Sequence, residues 1–236
     1  MSKHRKDPEA PLSLSCRVLA RLLDYPADEM LGRLDELRQA LRQEAALSPA
    51  RLAELETLTL WMERRERYAL QSDYVETFDR GRASSLHLFE HVHGDSRERG
   101  PALVDLAKTY ESAGLRFEAP ELPDYLPVVL EFASTQAPAT ARAFLGELAH
   151  ILNAIHSALV KRGKPWAAAI GAVLELAGEQ PQAVQITVDE PLDESWQEPA
   201  AFDGCSSRGQ SRPGVPQPIH IHKKAAAPAA GQGVTR

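Results

Sequence analysis

Apolar residues recur at intervals of three and four along most of the first 180 positions, which is the spacing of one face of an α-helix. A first helix is predicted from Leu14 to Leu23, and it stops at Asp24-Tyr25-Pro26 because the residue before proline avoids helical angles. A second apolar face runs from Met30 to Leu41. Ser48-Pro49 then predicts a capped start for a third helix that continues toward Glu66.

The same periodicity predicts helices in the second half of the chain. The predicted elements are an aromatic-rich face of Tyr68, Tyr74, Val75 and Phe78, a helix from Pro101 to Gly114 with Leu103, Leu106, Ala107 and Tyr110 facing inward, a turn between Pro123 and Pro127, a helix through Val129 and Ala133, an uninterrupted helix from Ala139 to Lys161, and a last helix from Trp166 to Ala177. Only the short stretch 184–188 alternates. The pattern therefore predicts an all-α fold, a single helical-bundle domain.

The composition changes near the end of the last predicted helix. From about residue 180 onward Pro, Gly, Ser, Ala and Gln dominate, and apolar residues are too sparse to offset an ordering cost of roughly 1 to 2 kcal/mol per residue. We therefore expect one helical domain in residues 1–180 and a largely disordered tail in residues 181–236. Trp196 and Phe202 are candidate docking points within that tail.

Charge and cysteine content narrow the class of partner. The formal net charge is -6 and the pI is about 5.8, so no basic field favours a nucleic acid. Cys16 and Cys205 are the only cysteines, which excludes a disulfide framework and suits a reducing cytoplasm. No secretory signal is visible, and no uncharged apolar run approaches the roughly 20 residues that cross a bilayer. We expect a cytoplasmic protein without direct membrane insertion.

Histidines, carboxylates, arginines and aromatic residues are concentrated in residues 79–100. Within this stretch His87, Glu90 and His91 match H-x-x-E-H, the pattern in which inverzincin peptidases place two zinc ligands and a general base. A catalytic zinc also needs a third protein ligand, and no partner motif supplies one. Gly94 would moreover end such a helix directly after the histidines. Zinc-dependent hydrolysis therefore stays open as an alternative.

The same stretch also suits recognition of a partner. A surface that is both apolar and able to form hydrogen bonds would result if His87, His91 and His93 lay next to Leu88, Phe89, Tyr74 and Phe78. Such a surface fits an amphipathic helix laid into a groove. Nucleophile-elbow and phosphate-binding glycine motifs are missing from the chain.

Four segments resemble a known family. Residues 74–80 (YVETFDR), 85–97 (SLHLFEHVHGDSR) and 121–127 (ELPDYLP) resemble the respiratory nitrate reductase molybdenum cofactor assembly chaperones, also called the nitrate reductase delta subunit or NarJ-type proteins. Residues 22–26 (LLDYP) resemble the opening motif of that family. The resemblance extends over roughly the first 180 residues.

The resemblance implies a non-enzymatic, all-helical chaperone of the group that matures dimethyl sulfoxide and trimethylamine oxide reductases. Such chaperones bind the N-terminal segment of the apo catalytic (alpha) subunit while bis-molybdopterin guanine dinucleotide is inserted, and they delay docking at the membrane. They hold no cofactor stably and are not part of the final enzyme. By this analogy H-x-x-E-H is a coincidence, although a purely structural subunit that stays with the mature enzyme remains a second alternative.

The client segment would carry basic residues, so the candidate site combines acidic side chains, Glu76 among them, with an apolar floor formed by Tyr74, Phe78, Leu88, Phe89, Tyr125 and Leu126. We expect the floor to supply most of the affinity and the charges to orient the client. The candidate client-binding residues are Tyr74, Phe78, Asp79, His87, Leu88, Phe89, Glu90, His91, His93, Asp95, Asp124, Tyr125 and Leu126.

Overall fold

The computed structural model describes residues 9–116 and 121–184. That part of the chain forms eleven α-helices and one short 3₁₀ turn, and its only β-type pairing is an isolated bridge between His87 and Tyr125. The predicted all-α fold is confirmed. The predictions for Trp196, Phe202 and the other residues beyond 184 fall outside the described residues.

The helices follow one another through short connections. They are α1 (Ser13–Leu23), α2 (Asp28–Leu31), α3 (Leu34–Glu44), α4 (Pro49–Arg64), α5 (Arg67–Phe78), α6 (Leu88–His93), α7 (Arg99–Ser112), α8 (Leu126–Thr135), α9 (Pro138–Glu147), α10 (Ala149–Lys161) and α11 (Ala167–Leu176), with the 3₁₀ turn at Arg82–Ser84 between α5 and α6.

Trp166 lies at the centre of the core. Its side chain is fully buried, and the rings of Trp61, Tyr74 and Phe78 surround it at centroid distances of 5.1, 5.9 and 5.5 Å. Such offset and edge contacts are the favoured geometry between aromatic rings. Helix α5 is thereby fixed to the start of α11, and α1 packs on the neighbouring α8 and α11.

Carboxylates from distant helices cap two helix starts. Glu44, at the end of α3, accepts hydrogen bonds from the Leu14 and Ser15 amides, and Glu175 of α11 accepts one from the Ser48 amide. Ser48 also caps α4 locally, as its position before Pro49 predicts, by accepting a hydrogen bond from the Arg51 amide. These caps satisfy amides that have no partner within their own helix.

Two predicted helices are interrupted. The helix expected through Met30 and Leu41 is broken between α2 and α3 at Gly32 and Arg33. The helix expected from Ala139 to Lys161 is divided at Leu148, where the two axes bend by 65°. The bend allows α9 to pack on α8 while α10 packs on α11, so tertiary contacts override a continuous apolar pattern.

Helix α7 is more peripheral than its sequence predicts. Tyr110 is buried, with its ring 4.5 Å from that of Phe132 and its hydroxyl donating to the Pro123 carbonyl at 2.7 Å. Leu103, Leu106 and Ala107 were expected to face inward, but they are only half-buried and lie outside the main core cluster. A single tyrosine therefore provides the best-buried contact of α7.

Among the described residues no single helix is long and apolar enough to cross a membrane, although α9 and α10 together would pass a test of length and composition as a bent pair.

Candidate functional site

Residues 85–97 and residues 121–127, two of the segments that resemble the family, meet at the start of α6. The Leu126 amide donates to the Leu86 carbonyl at 2.9 Å, and the Leu88 amide donates to the Asp124 carbonyl at 3.1 Å. These two bonds pair His87 with Tyr125 in the isolated bridge. The starts of α6 and α8 are therefore held together by backbone bonds between residues that are far apart in sequence.

Asp124 provides polar contacts at the α6 junction, which is the contact between the starts of α6 and α8. Its side chain is completely buried, and Oδ2 accepts a hydrogen bond from the Phe89 amide at 2.9 Å. Arg99 of α7 places its guanidinium 4.0 Å from the same oxygen, and His87 Nδ1 lies 3.5 Å from Oδ1. A buried carboxylate needs such donors and opposite charges to compensate for the loss of water. Asp124 thus connects the first turn of α6 to α7.

The His87 ring lies between Asp124 and Tyr125. Its contact with the Asp124 carboxylate raises the pKa of His87 above the ordinary value, while partial burial acts in the opposite direction. The imidazole also packs against the Tyr125 ring, with centroids 5.3 Å apart and planes inclined by 33°. His87 therefore has two neighbours that fix its orientation.

A tyrosine network joins the end of α1 to the same junction. The Tyr74 hydroxyl donates to the Leu23 carbonyl at 2.9 Å and lies 2.9 Å from the Tyr125 hydroxyl. The Tyr125 hydroxyl also lies 3.3 Å from Asp24 Oδ1. Burial raises the pKa of both tyrosines, so they act as neutral hydrogen-bonding groups. The segment 22–26 therefore meets the other family-like segments in space.

The H-x-x-E-H residues are not arranged as a zinc site. His87 precedes α6 as its N-cap residue, so it does not share a helical face with His91. His91 Nε2 lies 2.9 Å from the Ser85 carbonyl oxygen, and Glu90 forms an ion pair with Arg99 at 3.2 Å. The described ranges contain no group of three His, Cys, Asp or Glu side chains suited to a metal ion. The three residues instead attach α6 to its surroundings.

The candidate residues divide by burial. Tyr74, Phe78, Leu88, Asp124 and Leu126 are buried; His87, Phe89, Glu90, His91, His93 and Tyr125 are half-buried; Asp79 and Asp95 are exposed. Most of the expected apolar floor therefore lies in the core beneath the surface, because Tyr74 and Phe78 pack around Trp166. Phe89 and Tyr125 are the floor residues that also reach the surface.

Several of the candidate acidic groups already have partners within the chain. Glu76 pairs with Lys164 at 3.1 Å, Glu90 with Arg99, and Asp95 with Arg82 at 2.9 Å. Within the part of the chain that the structure describes, Asp79 and Asp24 have no Lys or Arg at ion-pair distance. Fewer of the candidate acidic side chains are therefore available to a basic client than the sequence predicts.

Three residues of the junction were not among the sequence candidates. Asp24 and Tyr25 enter it through the tyrosine network, and Arg99 enters it through Asp124 and Glu90. The likeness of residues 22–26 to a family motif was the available signal for the first two. Arg99 lies within the polar stretch 79–100 that the sequence singles out, but nothing in the sequence distinguished it from the other charged residues of that stretch.

Comparisons with known proteins identify the family of this chain. The family model described as the nitrate reductase delta subunit matches residues 44–171. The chain is 37% identical over 193 residues to the probable nitrate reductase molybdenum cofactor assembly chaperone NarW of Escherichia coli K12, covering 77% of this chain and 80% of that protein. It is 34% identical over 189 residues to NarJ of the same strain, a nitrate reductase molybdenum cofactor assembly chaperone, covering 79% of each chain.

A relative from another organism and a solved structure extend the comparison. The probable chaperone NarJ of Bacillus subtilis is 34% identical over 153 residues, covering 64% of this chain and 80% of that protein. A crystal structure of a putative redox enzyme maturation protein from Archaeoglobus fulgidus has the same fold, with a TM-score of 0.51 and 16% identity over 75% of this chain and all of the other. The chain therefore belongs to the nitrate reductase delta subunit family of NarJ-type molybdenum cofactor assembly chaperones, and it is a chaperone rather than a catalytic enzyme.

Proposed function

We propose that this chaperone binds the N-terminal segment of the apo catalytic subunit of respiratory nitrate reductase in the cytoplasm. It holds the subunit competent while bis-molybdopterin guanine dinucleotide is inserted, and it leaves before the enzyme docks at the membrane. The relatives NarW and NarJ are named as nitrate reductase assembly chaperones, which supports the choice of client.

The observation that carries the proposal is the convergence of the family-like segments around Phe89, His87 and Tyr125. These three side chains are half-buried, so each has a firmly packed side and an accessible side. Phe89 also packs edge-on against His93, with ring centroids 5.7 Å apart. Rigid aromatic groups next to hydrogen-bonding groups are the usual anchors of a protein interface.

The buried candidates contribute from beneath the surface. Leu88 and Leu126 hold the starts of α6 and α8 in place, and Tyr74 holds Tyr125 through its hydroxyl. A client helix would lie on the surface that these residues support, with its apolar side toward Phe89 and Tyr125. Asp79 and Asp95 are exposed, and Asp79 would meet a basic group of the client directly, whereas Asp95 would first have to exchange its ion pair with Arg82.

Isothermal titration calorimetry tests the proposal directly. The purified full-length chaperone is titrated with a synthetic peptide that matches the N-terminus of the catalytic subunit. We expect saturable binding, with a dissociation constant on the order of micromolar, because a groove that must release its client needs a free energy of only about -8 kcal/mol. Absence of binding would contradict the proposal.

Cell fractionation separates the proposal from a structural-subunit role. A chaperone that leaves before docking is recovered with the apo catalytic subunit and not with the assembled membrane enzyme. Recovery of the chain in stoichiometric amounts with the assembled enzyme would instead favour the structural subunit.

A further inference from the structure

We propose that Asp24, together with Tyr25 and Tyr125, forms a subsite for one cationic side chain of the client segment, preferably an arginine. The inference rests on the proposed client binding and adds a specific contact to it. It assigns a role to the end of α1, which contributed no residue to the candidate site derived from the sequence.

The hydrogen bonds around Asp24 leave its carboxylate short of donors. The Tyr74 hydroxyl has one hydrogen, which it donates to the Leu23 carbonyl, so it can only accept from Tyr125. The single hydrogen of Tyr125 must then serve either Tyr74 at 2.9 Å or Asp24 at 3.3 Å, and the shorter contact favours Tyr74. Among the residues that the structure describes, the only other hydrogen-bond donor to the Asp24 carboxylate is the Tyr25 amide, which donates to the same oxygen, Oδ1, at 2.8 Å.

Asp24 also lacks a counter-ion within residues 9–116 and 121–184. The nearby Arg21 pairs with Glu131 at 3.5 Å, and Arg67 pairs with Asp28 at 2.6 Å. By contrast, the carboxylates of Glu90 and Asp95 are both paired with arginines of the chain. Asp24 is half-buried, so a cation that reached it would be screened less than at an open surface. Within those described ranges its second carboxylate oxygen, Oδ2, accepts no hydrogen bond, so it can accept one from a donor of the client.

Two tyrosines contact this carboxylate, Tyr25 through its backbone amide and Tyr125 through its hydroxyl. Tyr25 is 45% exposed and stands edge-on to Tyr74, with centroids 5.7 Å apart and planes at 86°. Tyr125 completes the network through its hydroxyl. Cations bind favourably over tyrosine faces, and a planar, weakly hydrated guanidinium combines this contact with hydrogen bonds to a carboxylate. This combination is the reason for preferring arginine to lysine.

The subsite would set the register of the client. An ion pair of this kind contributes orientation more than affinity, whereas the aromatic surface at Phe89 supplies apolar contact. One fixed cation would therefore determine which residues of an amphipathic client helix reach Phe89 and Tyr125.

Substitutions that remove one charge but keep the shape of the side chain, made in both partners, test the subsite. In the client peptide each arginine is replaced in turn by citrulline, which keeps the shape and removes the charge, and each lysine by acetyl-lysine. In the full-length chaperone Asp24→Asn keeps the acceptor for the Tyr25 amide, and Glu36→Gln, at an exposed position of α3, is the matched control for loss of one negative charge. Affinities are measured by calorimetry for every combination.

We expect one peptide position at which neutralisation weakens binding to the wild-type chaperone about fivefold to tenfold, the scale of a charge-assisted hydrogen bond that is partly exposed. Asp24→Asn should cause a similar loss, and the two changes together should cause no further loss. Glu36→Gln should bind as the wild type does.

The inference is overturned if no single cation of the peptide matters for the wild-type chaperone, a result that does not depend on the folding of any variant. It is also overturned if the losses from Asp24→Asn and from the peptide change multiply. Failure of the unmodified peptide to bind the wild-type chaperone is a different result, because it contradicts the proposed client binding itself.

Discussion

His87 Nδ1 lies 3.5 Å from Oδ1 of the fully buried Asp124. His87 directly precedes α6, and Asp124 lies two residues before α8. Two backbone hydrogen bonds connect the same two segments at this point. Because the carboxylate is buried, protonation of His87 adds a favourable charge pair to this junction. The attachment of α6 should therefore depend on pH.

The stabilising effect of His87 should be greatest in acid. Since the folded pKa of His87 is raised, its contribution is complete below about pH 6.5, the ordinary histidine value, and is lost as the pH rises through the folded pKa. We expect His87→Gln to lower the free energy of unfolding by about 1 kcal/mol in acid and by less at alkaline pH. Urea unfolding of both proteins across this range measures the difference, and a constant difference would contradict the prediction.

His156 of α10 provides a control, because its protonation should change the stability of the protein in the opposite direction. Burial, followed by the charge of Arg51, lowers the pKa of His156, so the folded protein resists its protonation. Protonation of His156 therefore destabilises the folded protein, and this loss of stability grows as the pH falls from the ordinary histidine pKa toward the lowered pKa of His156. His156→Gln should therefore gain stability relative to the wild type in acid, whereas His87→Gln should lose it.

Asp124 should be essential for the stability of the α6 junction. Asp124→Asn keeps the size of the side chain but removes the charge that faces His87 and Arg99, and its amide group places a donor near them. We expect the free energy of unfolding to fall by about 2 to 3 kcal/mol, as when one member of a buried ion pair is lost.

Hydrogen exchange can locate the effect of Asp124→Asn, since the Phe89 amide donates to the Asp124 carboxylate and should exchange faster in the variant. Asp105→Asn, which removes the exposed partner of Lys108, is the matched control and should change stability by no more than about 0.5 kcal/mol. Similar losses in both variants would show that Asp124 has no special role.

The helices were predictable where the signal was local. The end of α1 at Asp24 and the capped start of α4 at Ser48 follow from neighbouring residues, and both are confirmed. The bend at Leu148 was not predictable, because it depends on which helices α9 and α10 contact. The partial burial of Leu103 and Leu106 also depends on the packing of α7 as a whole.

The candidate site was likewise predictable only in part from the sequence. The family-like segments placed His87, Asp124 and Tyr125 in one candidate client-binding site, and these residues lie close together in the structure, while their binding of a client stays a prediction. Sequence patterns alone placed Tyr74 and Phe78 on a binding floor, although both pack against Trp166. Whether an aromatic residue faces a partner or the core is decided by tertiary packing, which periodicity does not record.

The protein should not retain stoichiometric zinc. His91 already contacts the Ser85 carbonyl and His87 faces Asp124, so binding a metal would require both to leave these partners. We expect elemental analysis of the protein, purified without an affinity tag, to find well below one zinc per chain, and His91→Ala to leave that value unchanged. One tightly held zinc that His91→Ala removes would restore the hydrolase alternative.

Phe78→Ala should affect folding before it affects recognition. The Phe78 ring is buried and lies 5.5 Å from Trp166, so its loss leaves a cavity in the core. We expect the free energy of unfolding to fall by about 3 to 5 kcal/mol. Thermal and urea unfolding measure this loss, and an unchanged stability would mean that the core does not depend on the aromatic cluster.

Phe89→Ala and Tyr125→Ala should weaken client binding far more than His220→Ala or His222→Ala. Phe89 and Tyr125 are half-buried at the surface where the family-like segments meet, and truncating such an aromatic anchor typically costs about 2 kcal/mol of binding energy, or roughly thirtyfold in affinity. Titration with the client peptide measures each variant after its folded state has been verified by circular dichroism. If all four variants lost affinity equally, the client would not bind at α6 and the start of α8.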